Sequence, residues 1–359
     1  MSGWRSAAYG AARPLLFWFE PERIHRLSLS GLRIAGGNPI GRSVLGLLGG
    51  VSRHALPADV LGLAFRNRVG LGAGFDKDGV ALRGWAALGF GFVEVGTVTP
   101  EPQPGNARPR LFRLRQDEAL INRMGFNNAG AAALARNVML ARRHLPRGVI
   151  VGVNIGRGRA TADDEAFGDY LAAHRLVAPV ADYLAINVSS PNTPGLRRHL
   201  QDPQRLVALL EALAAAGDGS RYRPALLVKL APDLAPAAFD QLVTAVADSP
   251  AAGLILANTT LARERMRSTG AGERGGLSGR PLLDRTLPLV ARARELAGDR
   301  LAIIASGGLS TADDVARARE AGADLVQLWT GLVYRGPGLI GEAANAAAPG
   351  LRTRSAQSG

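Results

Sequence analysis

The 359-residue chain has no cysteine. That excludes disulfides, iron–sulfur ligation, thiolate zinc sites and any thiol nucleophile. Histidine is scarce as well: His25, His54, His144, His174 and His199 are scattered and form no HExxH or similar ligand pair. No metal is therefore expected, and histidine-based triad chemistry has no support. The apolar run at 15–19 is far shorter than the roughly 20 residues that span a bilayer. It also lacks the long apolar core and small-residue cleavage site of a signal peptide. The net charge of +13 raises the question of nucleic acid, but the charge is spread along the chain without a dense basic run or interleaved aromatics. No nucleic-acid partner is expected, and a diffuse positive surface equally favours an anionic membrane face or an anionic substrate. The sharpest scarcity is lysine. Of 43 basic residues only Lys77 and Lys229 are lysine, which points to places where a compact, movable ammonium is needed and a guanidinium would not serve.

With 47% hydrophobic residues the chain can bury a large core. Residues 1–60 read as a helical extension. Arg13-Pro14 precedes Leu15–Phe19, Pro21 can open a further helix, and Ile24, Leu27, Gly31 and Leu32 fall on one face at helical spacing. The residues fit an amphipathic pair lying on a membrane surface, and equally a helical cap on the main domain. Over residues 61–350 short apolar runs alternate with helical stretches. The runs are Val69–Ala73, Phe92–Gly96, Val149–Asn154, Tyr183–Asn187, Ala225–Lys229, Gly253–Asn258, Leu301–Ser306 and Leu325–Trp329. Helical periodicity marks 128–143, 203–215, 236–248, 285–297 and 311–321. Eight strands alternating with helices predict an α/β fold, a (β/α)8 TIM barrel, with an open doubly wound sheet as the alternative. Insertions follow strand two (99–127, with a predicted hairpin) and strand six (259–281). The tail 351–359 is expected to be disordered.

The strand ends carry the chemistry. Strand four feeds Asn187-Val-Ser-Ser-Pro-Asn-Thr-Pro-Gly195, a loop rich in amides and hydroxyls, and both lysines fall at other strand ends. Asn122, Asn154, Asn187, Asn192 and Asn258 are all expected at one mouth, a polar cage suited to a small planar heterocycle. Gly279, Gly307-Gly308 and Gly331 cluster after strands six to eight, where barrels build phosphate cradles. The Gly70-Leu-Gly72-Ala-Gly74 run has the wrong spacing for a dinucleotide fingerprint.

The motifs AGFDK at 73–77, GTVTP at 96–100, NRMGFNN at 122–128, NVSSPNTPGL at 187–196, VKLAPDL at 228–234, GGLSGRPL at 275–282 and SGG at 306–308 together resemble the dihydroorotate dehydrogenase family. The resemblance spans about residues 13–342. Pro21-Glu22-Arg23 in a helical N-terminus, with serine in the strand-four loop, resembles the membrane-associated, quinone-dependent class 2.

The resemblance implies FMN as cofactor, dihydroorotate and orotate as substrate and product, a membrane quinone as final acceptor, and no iron–sulfur partner subunit. It implies a peripheral protein on the cytoplasmic face of a bacterial membrane, with an organellar membrane left open. Ser190 is then the base that takes the C5 proton of dihydroorotate, with Thr193, Pro194 and Gly195 as relay and lid. Lys77, Asn122, Arg123, Met124, Gly125, Phe126, Asn187, Asn192, Asn258 and Thr259 hold the substrate. Ala73, Gly74, Phe75, Asp76, Lys77, Thr97, Asn154, Asn187, Lys229, Ala257, Gly279, Gly308, Trp329 and Thr330 hold FMN, Lys229 lying on its N1/O2 side. Ala257 stands where many members carry threonine, and Trp329 where a smaller ring, usually tyrosine, is common. A lysine Schiff-base aldolase on the same barrel, or a non-catalytic binder of phosphate ligands or nucleic acid, are the competing readings.

Overall fold

A computed structural model describes residues 3–347, apart from 53–54, 193–194, 196, 198–199 and 221. Eight parallel strands close into a barrel: β3 (Val69–Leu71), β4 (Phe92–Val98), β7 (Ile150–Ile155), β8 (Tyr183–Asn187), β9 (Ala225–Leu230), β10 (Gly253–Leu256), β12 (Ala302–Ser306) and β13 (Leu325–Leu328). The ring closes where Gln327 pairs with Gly70. These are the eight predicted runs, with ends moved by up to two residues, and the open sheet is ruled out. A hairpin of β1 (Ala58–Val60) and β2 (Leu63–Phe65), which the sequence reading missed, precedes the barrel. Its Phe65 plugs the bottom, edge-on to Phe92 at 5.5 Å.

Alternation along the strands sorts the barrel into levels. Phe92, Tyr183, Leu227, Ile255, Ile304 and Leu325 form an apolar interior cluster with Phe65. The next level holds polar side chains, Glu94, Asn154, Lys229 and Gln327, all buried. Gly152 is where the Tyr183 ring crosses the interior, since a Cβ there would run into that ring. The outward faces carry Val, Leu and Ile under a shell of helices, each such side chain contributing about 1.5–3 kcal/mol on burial.

The shell comprises α4 (Leu82–Leu88), α5 (Ala131–Arg142), α6 (Ala166–Val177), α7 (Pro203–Ala216), α8 (Pro236–Ala247), α9 (Leu283–Ala297), α10 (Ala312–Glu320), α11 (Thr330–Arg335) and α12 (Gly338–Ala346). Local sequence starts several of them: Asp202 caps α7 ahead of Pro203, and Thr311 with Asp314 forms a capping box on α10. The two insertions meet. The predicted hairpin is β5 (Leu111–Leu114) with β6 (Ala119–Asn122), and β11 (Gly276–Gly279) from the second insertion pairs with β6. The result is a three-stranded roof beside the barrel mouth.

Three helices precede the barrel: α1 (Gly3–Leu16), α2 (Pro21–Gly37) and α3 (Pro39–Gly49). Glu20 caps α2, and Asn38 ends α2 and caps α3. The predicted face of α2 is divided: Ile24 and Leu32 pack inward, whereas Leu27 and Gly31 face solvent. Glu22 and His25, one turn apart, face the barrel instead. Glu22 is buried and takes bonds from both Arg108 and Arg110, 86 and 88 residues away. Arg110 also binds Pro104 O and Asn106 O, so one ion cluster ties α2 to the first insertion. Outward, the helices and the turn between α1 and α2 expose Trp18 (86%), Ile40 (78%) and Ile34 (72%), along with Trp4, Leu15, Val44 and Leu47. Among the described residues no helix is long and apolar enough to cross a membrane. Residues 351–359 lie outside the described residues.

Burial pushes the Glu22 carboxyl up, but the bonds from Arg110 and Arg108 outweigh it and hold the pKa at about 2. A depressed carboxyl pKa stabilises the folded state above its unfolded value and is lost as pH falls. The docking of α2 should therefore weaken from about pH 4.5 towards about pH 2. Glu22→Gln should imitate this at neutral pH, costing about 3 kcal/mol by leaving Arg110 without its counter-charge. Limited proteolysis within 1–50 and thermal unfolding check it; the exposed Arg108→Ala change should cost under about 1 kcal/mol.

Candidate active site

The C-terminal ends of the strands converge on one deep cavity. Its wall is Gly72–Gly74 and Lys77 after β3, Thr97 from β4, and Asn187, Ser190 and Asn192 from β8 and its loop. Lys229, Ala257, Asn258 and Thr259 continue it through β9 and β10. Ser306–Leu309 follow β12, and Gln327 and Trp329–Gly331 complete the ring. The roof strands and the turn after them add Leu111, Leu120, Asn122, Met124–Phe126, Ser278 and Gly279.

The floor is a single hydrogen-bonded layer. Asn154 donates to Glu94 (2.9 Å) and accepts from Thr97 (2.6 Å) and Asn187 (3.2 Å). Asn187 also donates to Thr97 Oγ1 at 2.9 Å, and Asn258 reaches Ser189 Oγ at 3.0 Å. Tyr183 and Gln327 donate to the other oxygen of Glu94 at 3.0 and 2.6 Å. Burial and then the Glu94 charge push the Tyr183 phenol well above its usual pKa, so it stays a donor. Lys229 Nζ lies 3.6 Å from Glu94 Oε1 and faces the cavity.

The loop after β8 is braced from below. Arg197 donates to Ser189 O (2.8 Å) and Thr259 O (2.9 Å) and pairs with Asp233 at 2.7 Å. Asp233 also accepts from the Thr260 hydroxyl. Ser190 Oγ accepts from Asn192 N at 3.3 Å, and Asn192 Nδ2 donates to Asn122 O at 3.2 Å. Ser190 is buried against the cavity. Gly195 is left-handed at φ 74°, while Thr193 and Pro194 lie outside the described residues.

Lys77 lines the opposite wall, half-buried, and donates to Gly74 O at 3.0 Å. Burial lowers its pKa to about 8. At the far side the SGG turn makes a cradle. Gly308 is left-handed at φ 84°, and a Cβ there would run into the Leu283 backbone, so the turn lies flush on α9.

Four predicted residues lie away from this cavity. Asn154 belongs to the floor layer but does not line the cavity, because Glu94 and Thr97 hold its amide. Asp76 is fully buried, accepting from Val80 N, Ala81 N and Trp85 Nε1, and so fixes the turn that carries Lys77. Arg123 turns outward to Glu273 (2.7 Å) and over the Phe112 ring. Phe75 lines a second cavity. Ser190 and all the other residues predicted to hold substrate or FMN border the first one, while Gly195 does not. Sequence reading missed His25, Leu111, Leu120, Ser278, Leu282, Leu309 and Gln327 as lining residues. Gln327 had a readable signal, an amide in an otherwise apolar strand.

The second cavity is almost wholly apolar and runs beneath the N-terminal helices, between Leu16, Phe17, Ile24, Leu32, Leu45 and the barrel residues Phe75, Leu332 and Ile340. It shares His25, Leu111, Leu120 and Trp329 with the first. His25 Nε2 donates to Phe75 O at 2.6 Å. Burial, reinforced by Lys77, lowers its pKa to about 4, so the ring is neutral. The His25 ring meets Phe75 edge-on at 4.9 Å, and Phe75 packs tilted against Trp329 at 4.7 Å.

A model of the family described as dihydroorotate dehydrogenase matches residues 55–345. The chain belongs to the dihydroorotate dehydrogenase family. It is 51% identical over 336 residues to a dihydroorotate dehydrogenase (quinone) of Chloroflexus aurantiacus, covering 90% of this chain and 92% of that one. The protein of the same name from Sphingopyxis alaskensis is 46% identical over 359 residues, covering 98% and 94%. Among solved structures, that of DHODH from Eimeria tenella in complex with ferulenol superposes with a TM-score of 0.82. It is 35% identical, over 91% of this chain and 90% of that one.

The lowered pKa of Lys77 gives the cavity a pH dependence. Affinity for a small carboxylate should be constant below about pH 8 and fall by up to tenfold per unit above it, as the ammonium is lost. Calorimetric titration across the neutral and alkaline range checks this. Lys77→Met should weaken binding at neutral pH and abolish the dependence.

Proposed function

We propose that the chain oxidises (S)-dihydroorotate to orotate with FMN as hydride acceptor, and passes the electrons to a membrane quinone. The activity belongs to pyrimidine (UMP) biosynthesis. The observation that carries this reading is the joining of two unlike cavities, one polar with two ammonium groups, the other apolar and covered by helices with an exposed apolar face.

The residues present fit FMN. The SGG turn with Gly279 and Thr330 offers a cradle that side chains would fill, and Gln327 Oε1 is buried without a partner among the described residues, beside the cavity floor. Ala73, Gly74, Thr97, Asn187, Lys229, Ala257, Gly279, Gly308, Trp329 and Thr330 would hold it, with Asn154 supporting from below. When bound, FMN supplies the two-electron acceptor. Ala257 contributes no hydroxyl there, and Trp329 donates to Ala73 O at 3.1 Å, so its indole shapes the wall.

Asn122, Asn187, Asn192, Asn258 and Thr259 would orient the substrate ring, with backbone from Met124, Gly125 and Phe126, and Lys77 would bind its charge. Ser190 takes the proton from C5. A serine hydroxyl is a weak base, so its burial and placement matter more than its own proton affinity. Arg197 holds that loop in register through Ser189 O and Thr259 O. Arg123 shapes the 122–126 segment from outside.

The quinone would enter beneath α1–α3 and approach the shared residues His25 and Trp329. Trp18, Ile34 and Ile40 would rest on the membrane surface, at the cytoplasmic face of a bacterial membrane, giving a peripheral protein. The competing Schiff-base and nucleic-acid readings lose ground: Glu94 balances Lys229, and Arg110, Arg197 and Arg294 are committed to ion pairs.

Purified protein should be yellow and should bleach on adding dihydroorotate. Ser190→Ala should slow single-turnover bleaching by about 10²–10⁴-fold while FMN stays bound. Unaltered bleaching would remove Ser190 from the mechanism. Deleting residues 1–50 should abolish quinone reduction, and a deletion that leaves it intact would refute the access route.

A further inference from the structure

Glu94 is an acidic side chain sealed inside the barrel, and the mechanism above makes no use of it. It is fully buried and faces four donors. Oε1 meets Asn154 Nδ2 at 2.9 Å and Lys229 Nζ at 3.6 Å; Oε2 meets Tyr183 OH at 3.0 Å and Gln327 Nε2 at 2.6 Å. Four donors aimed at its two oxygens match the acceptor geometry of a carboxylate. Lys229 lines the cavity and Glu94 does not. A ligand lying on the floor therefore meets the ammonium first, with the opposite charge directly behind it.

We infer that Glu94 is a positioning residue that fixes Lys229 and tempers its field, and thereby sets the reduction potential of the bound flavin. The inference rests on the flavin reading above. A hydride and its electron pair leave negative charge on the ring, which a nearby cation stabilises and a carboxylate behind that cation opposes. In a water-excluded interior such charges act strongly over several ångströms. Glu94 also orients Asn154, and through it Thr97 and Asn187, so the same carboxylate aligns the floor.

The test compares the midpoint potential of FMN bound to the full-length wild type, Glu94→Gln and Glu94→Asp. Glu94→Gln should shift the flavin equilibrium at least tenfold towards the reduced form, a rise of about 30 mV for the two-electron couple. Glu94→Asp keeps the charge and should retain a potential close to wild type even if FMN binds less tightly. An unchanged or lowered potential in Glu94→Gln would overturn the inference, as would an equal shift in Glu94→Asp, which would mark a packing role.

Should Glu94→Gln fail to fold or hold FMN, charge balance gives a second measurement. Lys229→Met strands the carboxylate and should lower thermal stability and FMN affinity, and adding Glu94→Gln should recover at least the stability. A double variant no more stable than Lys229→Met would refute the pairing. Failure of the wild type itself to bind FMN would refute the flavin reading instead, so the two failures are distinguishable.

Discussion

Closing eight strands into a ring leaves one interior, and what fills each level of it governs everything above. Phe65, Phe92 and Tyr183 occupy the lower levels so fully that Gly152 has no room for a side chain. The next level is polar, and in a dry interior it is tolerated because Asn154, Tyr183, Gln327 and Lys229 converge on one carboxylate, Glu94. That level is the floor of the site. The positions of Asn187, Thr97 and Lys229 follow from it: Asn187 is held through Thr97 and Asn154, and Lys229 by the charge beneath.

Much of this was legible in the sequence. The alternation of apolar runs and helical stretches located all eight strands, and the scarcity of lysine marked two residues that both border the cavity. The loop at 187–195 was readable because amides and hydroxyls at the end of a buried strand have little reason to be there except a ligand. What escaped were pairings between distant segments. Nothing local in 259–281 says that Gly276–Gly279 will add a strand to a hairpin some 155 residues earlier. Helical spacing placed Leu27 and Gly31 on the buried face of α2. The ion cluster of Glu22 with Arg108 and Arg110 instead sets the rotation of that helix, and brings in His25 one turn later. Arg123 and Asp76 sit inside specific motifs, yet their side chains are claimed by Glu273 and by backbone N–H groups. A motif fixes the neighbourhood of a residue, not the direction of its side chain.

The N-terminal helices pack on the barrel as a cap and also carry an exposed apolar face. Tyr9 and Arg13 bind the carbonyls of Val333 and Tyr334, and Arg113 stacks over Phe17, so the inner face is fastened to the barrel through polar and aromatic contacts. Those contacts free the larger apolar side chains to point outward, a cost in water that a membrane surface would remove.

The same arrangement explains why His25 must be neutral. It stands between a cavity with two ammonium groups and a cavity with almost no polar lining, and a charged ring there would be desolvated on one side and repelled by Lys77 on the other. Its bond to Phe75 O consumes the Nε2 proton and turns the ring edge-on to Phe75, which in turn packs against Trp329. The boundary between the two cavities is thus a stack of uncharged rings, anchored by Glu22 from the helix side and by the Lys77 turn from the barrel side. It keeps water and charge of the polar site away from the apolar path while leaving the two in contact, which is the separation that a hydride step followed by transfer to a hydrophobic acceptor requires.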